Sequence, residues 1–182
     1  AGLDIPVMGV NIGGLGFLTS VSEKEIKRAL VCLAKNHFSV SVRAVAEAAV
    51  QRGKKTLARY RALNDVVITS GPSTRVITLD VSVAGDRGTS YVCDGLNVST
   101  PTGSTGHSLS TGGPILAPET PAFVISLICP HTLGSRPLVV PDRDEVILRL
   151  TEIDGRARLS VDGQVGRLLD EGDRIRVTRS PH

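Results

Sequence analysis

The sequence has little of what several functional classes require. Its 182 residues include no Trp, three Phe and two Tyr, so few side chains can stack on bases, and Lys and Arg are dispersed although the pI is near 9.0. Nucleic-acid binding is therefore not indicated. The three cysteines form no C-x-x-C pair, which argues against a disulfide framework or a zinc site and favours a reducing, cytoplasmic compartment.

Long apolar runs are also absent. No stretch of about 20 apolar residues exists, so the sequence predicts no membrane span. Charge is scarce in one region: residues 95–135 contain Glu119 as their single formal charge, whereas the overall fraction of charged residues predicts about nine. An uncharged tract rich in Gly, Ser and Thr inside an otherwise charged chain calls for a functional explanation.

The clearest helix signal begins at Ser22. Ser22 and Glu25 form a capping-box pair, and apolar residues then recur with helical spacing, which predicts an amphipathic helix over residues 22–35. Before it, the apolar run Ile5–Val10 leads into Asn11 and glycines and predicts a short buried strand. We interpret residues 1–36 as the end of an N-terminal α/β domain, one strand and a linker helix, whose beginning would lie upstream.

After residue 36 the apolar period changes from 3.6 to 2. This alternation predicts strands over 38–43 and 77–83, a return strand over 56–68 and further strands over 123–128, 146–150, 157–161 and 174–178, with Asp154-Gly155 as a hairpin turn. Many short strands separated by Gly and Pro turns are typical of a mainly β protein. Residues 37–182 are therefore predicted to form a large antiparallel β-sandwich or layered β domain.

The densest candidate site is the segment Thr100–Gly113, which contains seven hydroxyl residues and four glycines. Glycines let backbone N–H groups approach a ligand closely, and hydroxyls add donors without bulk. Such a segment can surround a diphosphate or a ribose while Asp94 accepts hydrogen bonds from sugar hydroxyls, and Ser108–Ser110 are expected to enter a helical turn whose N-terminus faces the anion. The competing interpretation is a polar loop that joins two strands.

Two common phosphate-binding motifs are excluded. The sequence has no G-x-x-x-x-G-K-[ST], and the glycines that follow Asn11 do not keep the G-x-G-x-x-G register. Neither a P-loop nor a classical Rossmann dinucleotide site is therefore predicted.

Other polar residues allow a functional and a plain structural interpretation. Asn64-Asp65 interrupts an apolar strand, where burial requires hydrogen bonds, but an edge strand or a strand end would leave both side chains solvated. Arg75 could clamp a phosphate or be solvated. His107 could be an acid–base group or a surface residue. Asp162-Gly163-Gln164 could present a carboxylate and an amide, or form an ordinary turn.

Considered jointly, these segments resemble the NAD kinase family. The family's glycine-rich signature is matched by Asp94-Gly95, by residues 100–105 (TPTGST) and by residues 110–114. Further motifs are matched in the same order along the chain by residues 9–11 with 15–19, by 62–67, by 128–133 with 136–138, and by 160–164.

The resemblance implies transfer of a phosphoryl group from ATP, or in some members polyphosphate, to the 2′-hydroxyl of the adenosine ribose of NAD, with Mg²⁺ or another divalent metal. It implies a cytoplasmic homodimer or homotetramer that binds NAD. By matching position it assigns NAD contacts, but no metal ligand, to Asn64, Asp65, Arg75, Asp94, Thr102, Thr105, Gly106, His107, Ser108, Leu109, Ser110 and Gln164.

The sequence departs from the family's pattern at several positions. The Gly-Gly-Asp-Gly motif, whose Asp is the expected base or metal-organising group, does not occur and would lie upstream of Ala1. No catalytic residue is therefore assigned to this chain, which alone is expected to bind NAD without necessarily transferring phosphate. Gly106-His107 replaces a common Ala-Tyr pair, Asp65 replaces Glu, and Gly14 replaces a common Arg.

Two alternatives to a NAD kinase stay open on the sequence. One is a non-catalytic, β-rich module that binds NAD or mediates oligomerisation, which the missing upstream motif motivates. The other is a relative of the same superfamily that phosphorylates a lipid or a sugar.

Overall fold

The computed structural model describes residues 5–13, 18–71, 76–86, 88–132 and 134–181. The chain forms two compact units, one reaching to Val42 and the other comprising Arg43–Pro181. Within the described residues, no helix is both long and apolar enough to cross a membrane.

The first unit contains a parallel pair of short strands, β1 (Val10–Asn11) and β2 (Val21–Ser22), a 3₁₀ turn at Glu23–Glu25 and helix α1 (Ile26–Ala34). The predicted helix and its capping box are confirmed: the hydroxyl and the N–H of Ser22 donate to Glu25 Oε2 at 2.6 and 3.1 Å. These hydrogen bonds lower the pKa of the Glu25 carboxyl. The predicted strand over residues 5–10 is wrong apart from its last residue, because Ile5 and Val7 are exposed rather than packed.

The second unit is built mainly from strands arranged in two layers. They are β3 (Ala46–Arg52), β4 (Lys55–Ala62), β5 (Asp65–Ser70), β6 (Ile77–Val83), β7 (Thr89–Cys93), β8 (Gly95–Ser99), β9 (Ala122–Ile128), β10 (Leu138–Pro141), β11 (Val146–Ile153), β12 (Ala157–Val161), β13 (Val165–Leu169) and β14 (Arg174–Arg179). Sheet 1 has the order β4-β3-β14-β11-β6-β7, and sheet 2 has the order β10-β9-β8-β5-β12-β13. All neighbours in both sheets are antiparallel.

Alternate residues of both sheets enter one apolar core. Because side chains of a strand point to opposite faces in turn, the central strands give alternate residues to this core. Full burial of such a side chain contributes roughly 1.5–3 kcal/mol. Fully buried side chains from both layers meet there, among them Leu79, Leu148, Val177, Ile68, Leu96, Phe123 and Leu159. The predicted mainly β, antiparallel sandwich is confirmed.

The strand predicted over residues 38–43 is wrong. Phe38, Val40 and Val42 alternate with polar residues, but their side chains are 47%, 57% and 78% exposed, and residues 37–45 have no strand geometry. Alternation alone does not form a strand where the apolar side chains have no core to enter.

Two further predictions fail at crossings between the layers. The return strand predicted over residues 56–68 is two strands, β4 in sheet 1 and β5 in sheet 2, which are separated at Leu63-Asn64. Asp154-Gly155 joins β11 of sheet 1 to β12 of sheet 2, so it connects layers and is not a hairpin turn.

Candidate functional site

The candidate site begins where the chain leaves sheet 1 and enters sheet 2. β4 ends at Ala62 and β5 begins at Asp65, so Leu63 and Asn64 form the crossing. β5 lies between β8 and β12, in the interior of sheet 2. The edge-strand interpretation of Asn64-Asp65 is therefore wrong and a strand start is correct, although Asp65 is buried (7% exposed) and not solvated.

Three consecutive backbone N–H groups of this crossing donate to one distant carboxylate. The N–H of Leu63 donates to Asp162 Oδ2 at 2.8 Å, and those of Asn64 and Asp65 donate to Asp162 Oδ1 at 2.8 and 3.0 Å. In return, the Asp162 N–H donates to the Asp65 carbonyl at 3.0 Å. Hydrogen bonds to an ionised acceptor are the strong ones. This group of four residues is hereafter the Asp162 clasp.

The sequence places Asp162 at the clasp through a tight turn. β12 and β13 form a hairpin, and the N–H of Gln164 donates to the Val161 carbonyl at 3.1 Å. The two central residues, Asp162 and Gly163, have φ of +50° and +69°, as a type I′ turn requires and as Asp-Gly favours. The ordinary-turn interpretation is therefore correct. It does not reveal that the Asp162 side chain also accepts hydrogen bonds from backbone N–H groups 97–99 residues earlier in the chain.

The glycine-rich loop holds the other side of the crossing. The N–H of Thr100 donates to the Asn64 carbonyl at 2.9 Å, and its hydroxyl donates to the Leu63 carbonyl at 2.5 Å. A Cβ added at Gly103 would overlap the Asn64 carbonyl, so this approach requires glycine. The loop continues as a 3₁₀ turn at Thr102–Thr105 and a short helix α2 at His107–Ser110, which confirms the predicted helical turn.

The outer face of sheet 2 carries polar side chains beneath this loop. Leu96 and Val98 of β8 belong to the core, so Asn97 between them points to the opposite face. Asn97 lies across from Ser126 of β9, and the Ser126 hydroxyl accepts a hydrogen bond from the Thr111 hydroxyl at 2.7 Å. The end of the loop is thereby fixed to this face.

Some buried polar atoms of this region have no hydrogen-bond partner among the described residues. They are both polar side-chain atoms of Asn97 and the hydroxyls of Thr102 and Ser108. Asn97 and Ser108 are fully buried, whereas Thr102 is 7% exposed. Buried polar groups are normally paired, so a cluster of unpaired ones beneath and within the loop is unusual.

The two carboxylates of the site make it locally negative. Burial raises the pKa of the Asp65 carboxyl; His107 opposes this shift and the charge of Asp162 adds to it. In the part of the chain that the structure describes, neither Asp65 nor Asp162 forms an ion pair with Lys or Arg. Ionised carboxylates accept hydrogen bonds only, so this arrangement suits the recognition of hydroxyl groups.

Asp94 lies at the opposite end of β8 from the loop. It precedes Gly95, whereas Thr100 follows the strand, so about 20 Å of extended chain separates the two. The Asp94 carbonyl accepts a hydrogen bond from the Ser70 N–H at 2.8 Å. Its carboxylate is hydrogen-bonded to the Cys129 thiol, and this bond together with the negative charge raises the pKa of that thiol.

The remaining residues that the resemblance assigns lie in the loop and in the hairpin turn. Thr105 is half-buried, and the exposed members are Gly106, His107, Leu109, Ser110 and Gln164. Gln164 shares the turn of Asp162. Arg75 lies outside the described residues, as do Gly14 and the matched residues 15–17.

The described residues include no cluster of side chains that could coordinate a divalent metal. Within the described ranges, no group of three His, Cys, Asp or Glu side chains comes together as a metal site would require. Mg²⁺ prefers several oxygen ligands in octahedral geometry.

Comparison with known proteins places the chain in a family. Residues 63–182 match the family model described as the ATP-NAD kinase C-terminal domain. The NAD kinase of Geobacter metallireducens is 44% identical over 181 residues, which cover 100% of this chain and 64% of that protein. The NAD kinase of Gemmatimonas aurantiaca is 44% identical over 181 residues, covering 99% and 63%. The chain thus spans less than two thirds of the length of these relatives.

Solved structures agree with this assignment. The crystal structure of yeast NADH kinase complexed with NADH superposes with a TM-score of 0.91 at 31% identity, covering 97% of this chain and 51% of that one. An Archaeoglobus fulgidus NAD kinase in complex with ATP superposes with a TM-score of 0.79 at 26% identity, covering 97% and 66%. Because the family model matches from the Leu63 crossing onward and relatives align along the whole chain, the chain belongs to the ATP-NAD kinase family.

Proposed function

We propose that this chain is the NAD-binding part of a NAD kinase, which transfers a phosphoryl group from ATP to the 2′-hydroxyl of the adenosine ribose of NAD and so makes NADP. One observation carries the proposal: the crossing at Asn64-Asp65 is held between the Asp162 carboxylate and the glycine-rich loop. Two solved relatives, one complexed with NADH and one with ATP, support it.

The chemistry of the residues fits a dinucleotide. The Asp65 carboxylate accepts hydrogen bonds from ribose hydroxyls, the Asn64 amide both donates and accepts, and the Thr102 hydroxyl donates to the same region. The resemblance assigns the remaining length of the ligand to Thr105, Gly106, His107, Ser108, Leu109 and Ser110 of the loop and to Gln164 of the hairpin, none of which is an acidic residue that would repel the phosphates. It also assigns a contact with the ribose and phosphates to Arg75, which lies outside the described residues.

ATP, or polyphosphate, is the phosphoryl donor in this proposal, accompanied by Mg²⁺ or another divalent cation. Such a cation would neutralise charge on the transferring phosphates. We assign neither the cation nor the base for the attacking 2′-hydroxyl to a residue of this chain.

We also propose a cytoplasmic homodimer or homotetramer. Asp94 and Asn64 lie at opposite ends of sheet 2, about 20 Å apart along β8, so one chain does not offer both to the same ribose. A second copy can supply Asp94 to the crossing of the first. The free cysteines Cys32, Cys93 and Cys129 support a reducing compartment.

Calorimetric titration of NAD into the protein tests the proposed binding. The wild-type protein should bind NAD, and Asn64→Ala should weaken binding at least about tenfold, as expected when a positioned polar contact is lost. Gln51→Ala, on β3 of sheet 1, is the matched control and should bind like wild type. Absence of NAD binding to the wild-type protein would contradict the proposal.

The proposed reaction requires a second test, with the full-length gene product. NADP should form from NAD and ATP, and Asp65→Asn should slow it. Binding of NAD with no NADP formed would favour the non-catalytic module. Phosphorylation of diacylglycerol or a simple sugar in place of NAD would favour the superfamily relative.

A further inference from the structure

The conformation of Leu63, Asn64 and Asp65 depends on a carboxylate from another part of the fold. Their three N–H groups converge on Asp162 within 2.8–3.0 Å. Successive N–H groups of an extended strand point to alternate sides, so convergence on one anion requires a bent backbone, of the kind that forms anion-binding concavities. Asp162 is the anion that occupies this concavity.

Other contacts do not replace this carboxylate. Thr100 binds the carbonyl groups of Leu63 and Asn64, and Gly103 packs against the Asn64 backbone. Neither offers an acceptor to the three N–H groups. Without Asp162, partly buried N–H groups would lose their partners, a loss that proteins avoid. The apolar run that surrounds the crossing would then favour a continuous strand.

We propose that Asp162 is a positioning residue for the nucleotide substrate, which holds the Asn64 amide and the Asp65 carboxylate in the orientation that NAD requires without itself contacting NAD. This inference rests on the proposed function of the chain. It assigns Asp162 a role that neither its turn geometry nor its exposure reveals, because its carboxylate acts through the backbone of the crossing.

The variant Asp162→Asn tests the role with little change of shape. Asn is as well suited as Asp to positive φ at this turn position, so the hairpin is retained. Its amide offers one acceptor oxygen and places an NH₂ group against an N–H donor. The amides of residues 63–65 should exchange with solvent at least about tenfold faster, while those of β11 in the core keep their protection.

Binding of NAD provides the second readout. Asp162→Asn should raise the dissociation constant for NAD at least about tenfold, because small displacements of positioned groups have large effects. The matched control is Asp173→Asn, which removes a more deeply buried carboxylate from the turn at the other end of β13. This control should lower stability and leave the affinity for NAD within about twofold of wild type.

The outcomes separate the two proposals. If the Asp162→Asn variant binds NAD with wild-type affinity although the amides of residues 63–65 exchange faster, the positioning role is overturned and the proposed function is not. An equal loss of affinity in both variants would also overturn it, because general destabilisation would then explain the effect. If the wild-type protein does not bind NAD, the proposed function fails and the positioning role fails with it.

Discussion

The two turns that flank strand β13 each contain a carboxylate that joins distant parts of the chain, but the donors differ. Asp162, before β13, accepts hydrogen bonds from backbone N–H groups of the Leu63–Asp65 crossing. Asp173, after β13, accepts two hydrogen bonds from the Arg52 guanidinium at 2.7 and 2.9 Å and one from the Asp170 N–H at 3.0 Å. One turn therefore serves a candidate site and the other an ion-pair network.

Charge compensation is the physical difference between the two turns. Arg52 also pairs with Asp170, which in turn pairs with Arg156, at 2.7 and 3.1 Å. Burial alone would raise the pKa of Asp173, but the hydrogen bonds from Arg52 and Asp170 and the nearby positive charges outweigh it, so the pKa is lowered. At the other turn, Asp162 adds to the raised pKa of Asp65.

The two turns show that a turn carboxylate can contribute to a protein in opposite ways. An arginine partner favours the ionised form of a carboxylate, and the resulting pair stabilises the fold. A carboxylate held by neutral N–H groups keeps its negative potential, which remains available to a neighbouring site. Burial mainly, and the charge of Asp162 in addition, disfavour the ionised form of the neighbouring Asp65.

The largest effect is expected at the contact between the loop and the crossing. In Gly103→Ala the added Cβ would overlap the Asn64 carbonyl, so one of the two segments must move. We expect the free energy of unfolding to fall by about 3 kcal/mol, as overpacking in a rigid region does, and NAD binding to be lost. Urea denaturation and calorimetric titration measure the two effects.

Gly13→Ala is the control for this change. It adds the same methyl group where none of the described residues lies within 4 Å, so stability and NAD affinity should stay near the wild-type values. Wild-type behaviour of Gly103→Ala would show that the loop does not pack on the crossing.

Asp173→Asn should separate stability from binding at the other turn. Loss of the charged hydrogen bonds to Arg52 should lower the free energy of unfolding by about 2 kcal/mol at pH 7, with NAD affinity unchanged. Because the pKa of Asp173 is lowered in the folded protein, its contribution is present above the unfolded value of about 3.9. It is lost as the pH falls through the folded value.

Urea denaturation between pH 2 and 7 checks this sign. The stability of the wild-type protein should fall more steeply with acid than that of Asp173→Asn, and the two curves should converge at low pH. Parallel curves would show that Asp173 does not supply charge-dependent stability.

Asp65→Asn should change stability in the opposite direction. The pKa of Asp65 is raised in the folded protein, so stability falls as the pH rises from the unfolded value through the folded value. The variant should therefore be more stable than wild type at pH 7, by less than the loss expected for Asp173→Asn. The gain should disappear below the unfolded pKa, and thermal denaturation at pH 3 and pH 7 measures it.

Binding to Asp65→Asn completes the comparison. A more stable protein with weaker NAD affinity would show that the site retains its carboxylate for function. A less stable variant at pH 7 would contradict the interpretation of the Asp65 environment.

The smallest effect is expected beneath the loop. Asn97→Leu removes two buried polar atoms that have no partner among the described residues and should raise the free energy of unfolding by about 1 kcal/mol. Ser126→Ala is the control on the neighbouring strand. It removes the acceptor of the Thr111 hydroxyl and should lower stability by about as much. Loss of stability in both variants would indicate that Asn97 is hydrogen-bonded.

Much of the fold could be predicted because its signals are local. The Ser22–Glu25 capping box lies within one turn of chain, and the strand over residues 157–161 alternates along its own length. The sequence marks Asn64-Asp65 as a polar pair within an apolar run, but it does not show that the strand breaks there and that the chain changes sheets. The cause of this break lies in Thr100 and Asp162, which are 37 and 97–99 residues away.

The candidate site shows the same division. Its many hydroxyls and glycines indicated a binding loop, and the motifs indicated its family. The sequence also places Asp94 six residues before Thr100 and predicts that Asp94 accepts hydrogen bonds from sugar hydroxyls while the loop surrounds a diphosphate or a ribose. Extended geometry separates them instead, because β8 occupies all five intervening positions. Sequence proximity is a poor guide to spatial proximity along a strand.

The Asp162 clasp also determines when the site can form during biosynthesis. β5 has its two neighbours in β8 and β12, and the clasp closes a loop of 97–99 residues. Contacts of such long sequence separation form late, since the entropy of loop closure opposes them until the intervening chain is ordered. A ribosome must therefore release the chain past Asp162 before the Asn64 crossing takes its final shape. Ligand binding at this crossing therefore indicates that sheet 2 of the second unit has folded completely.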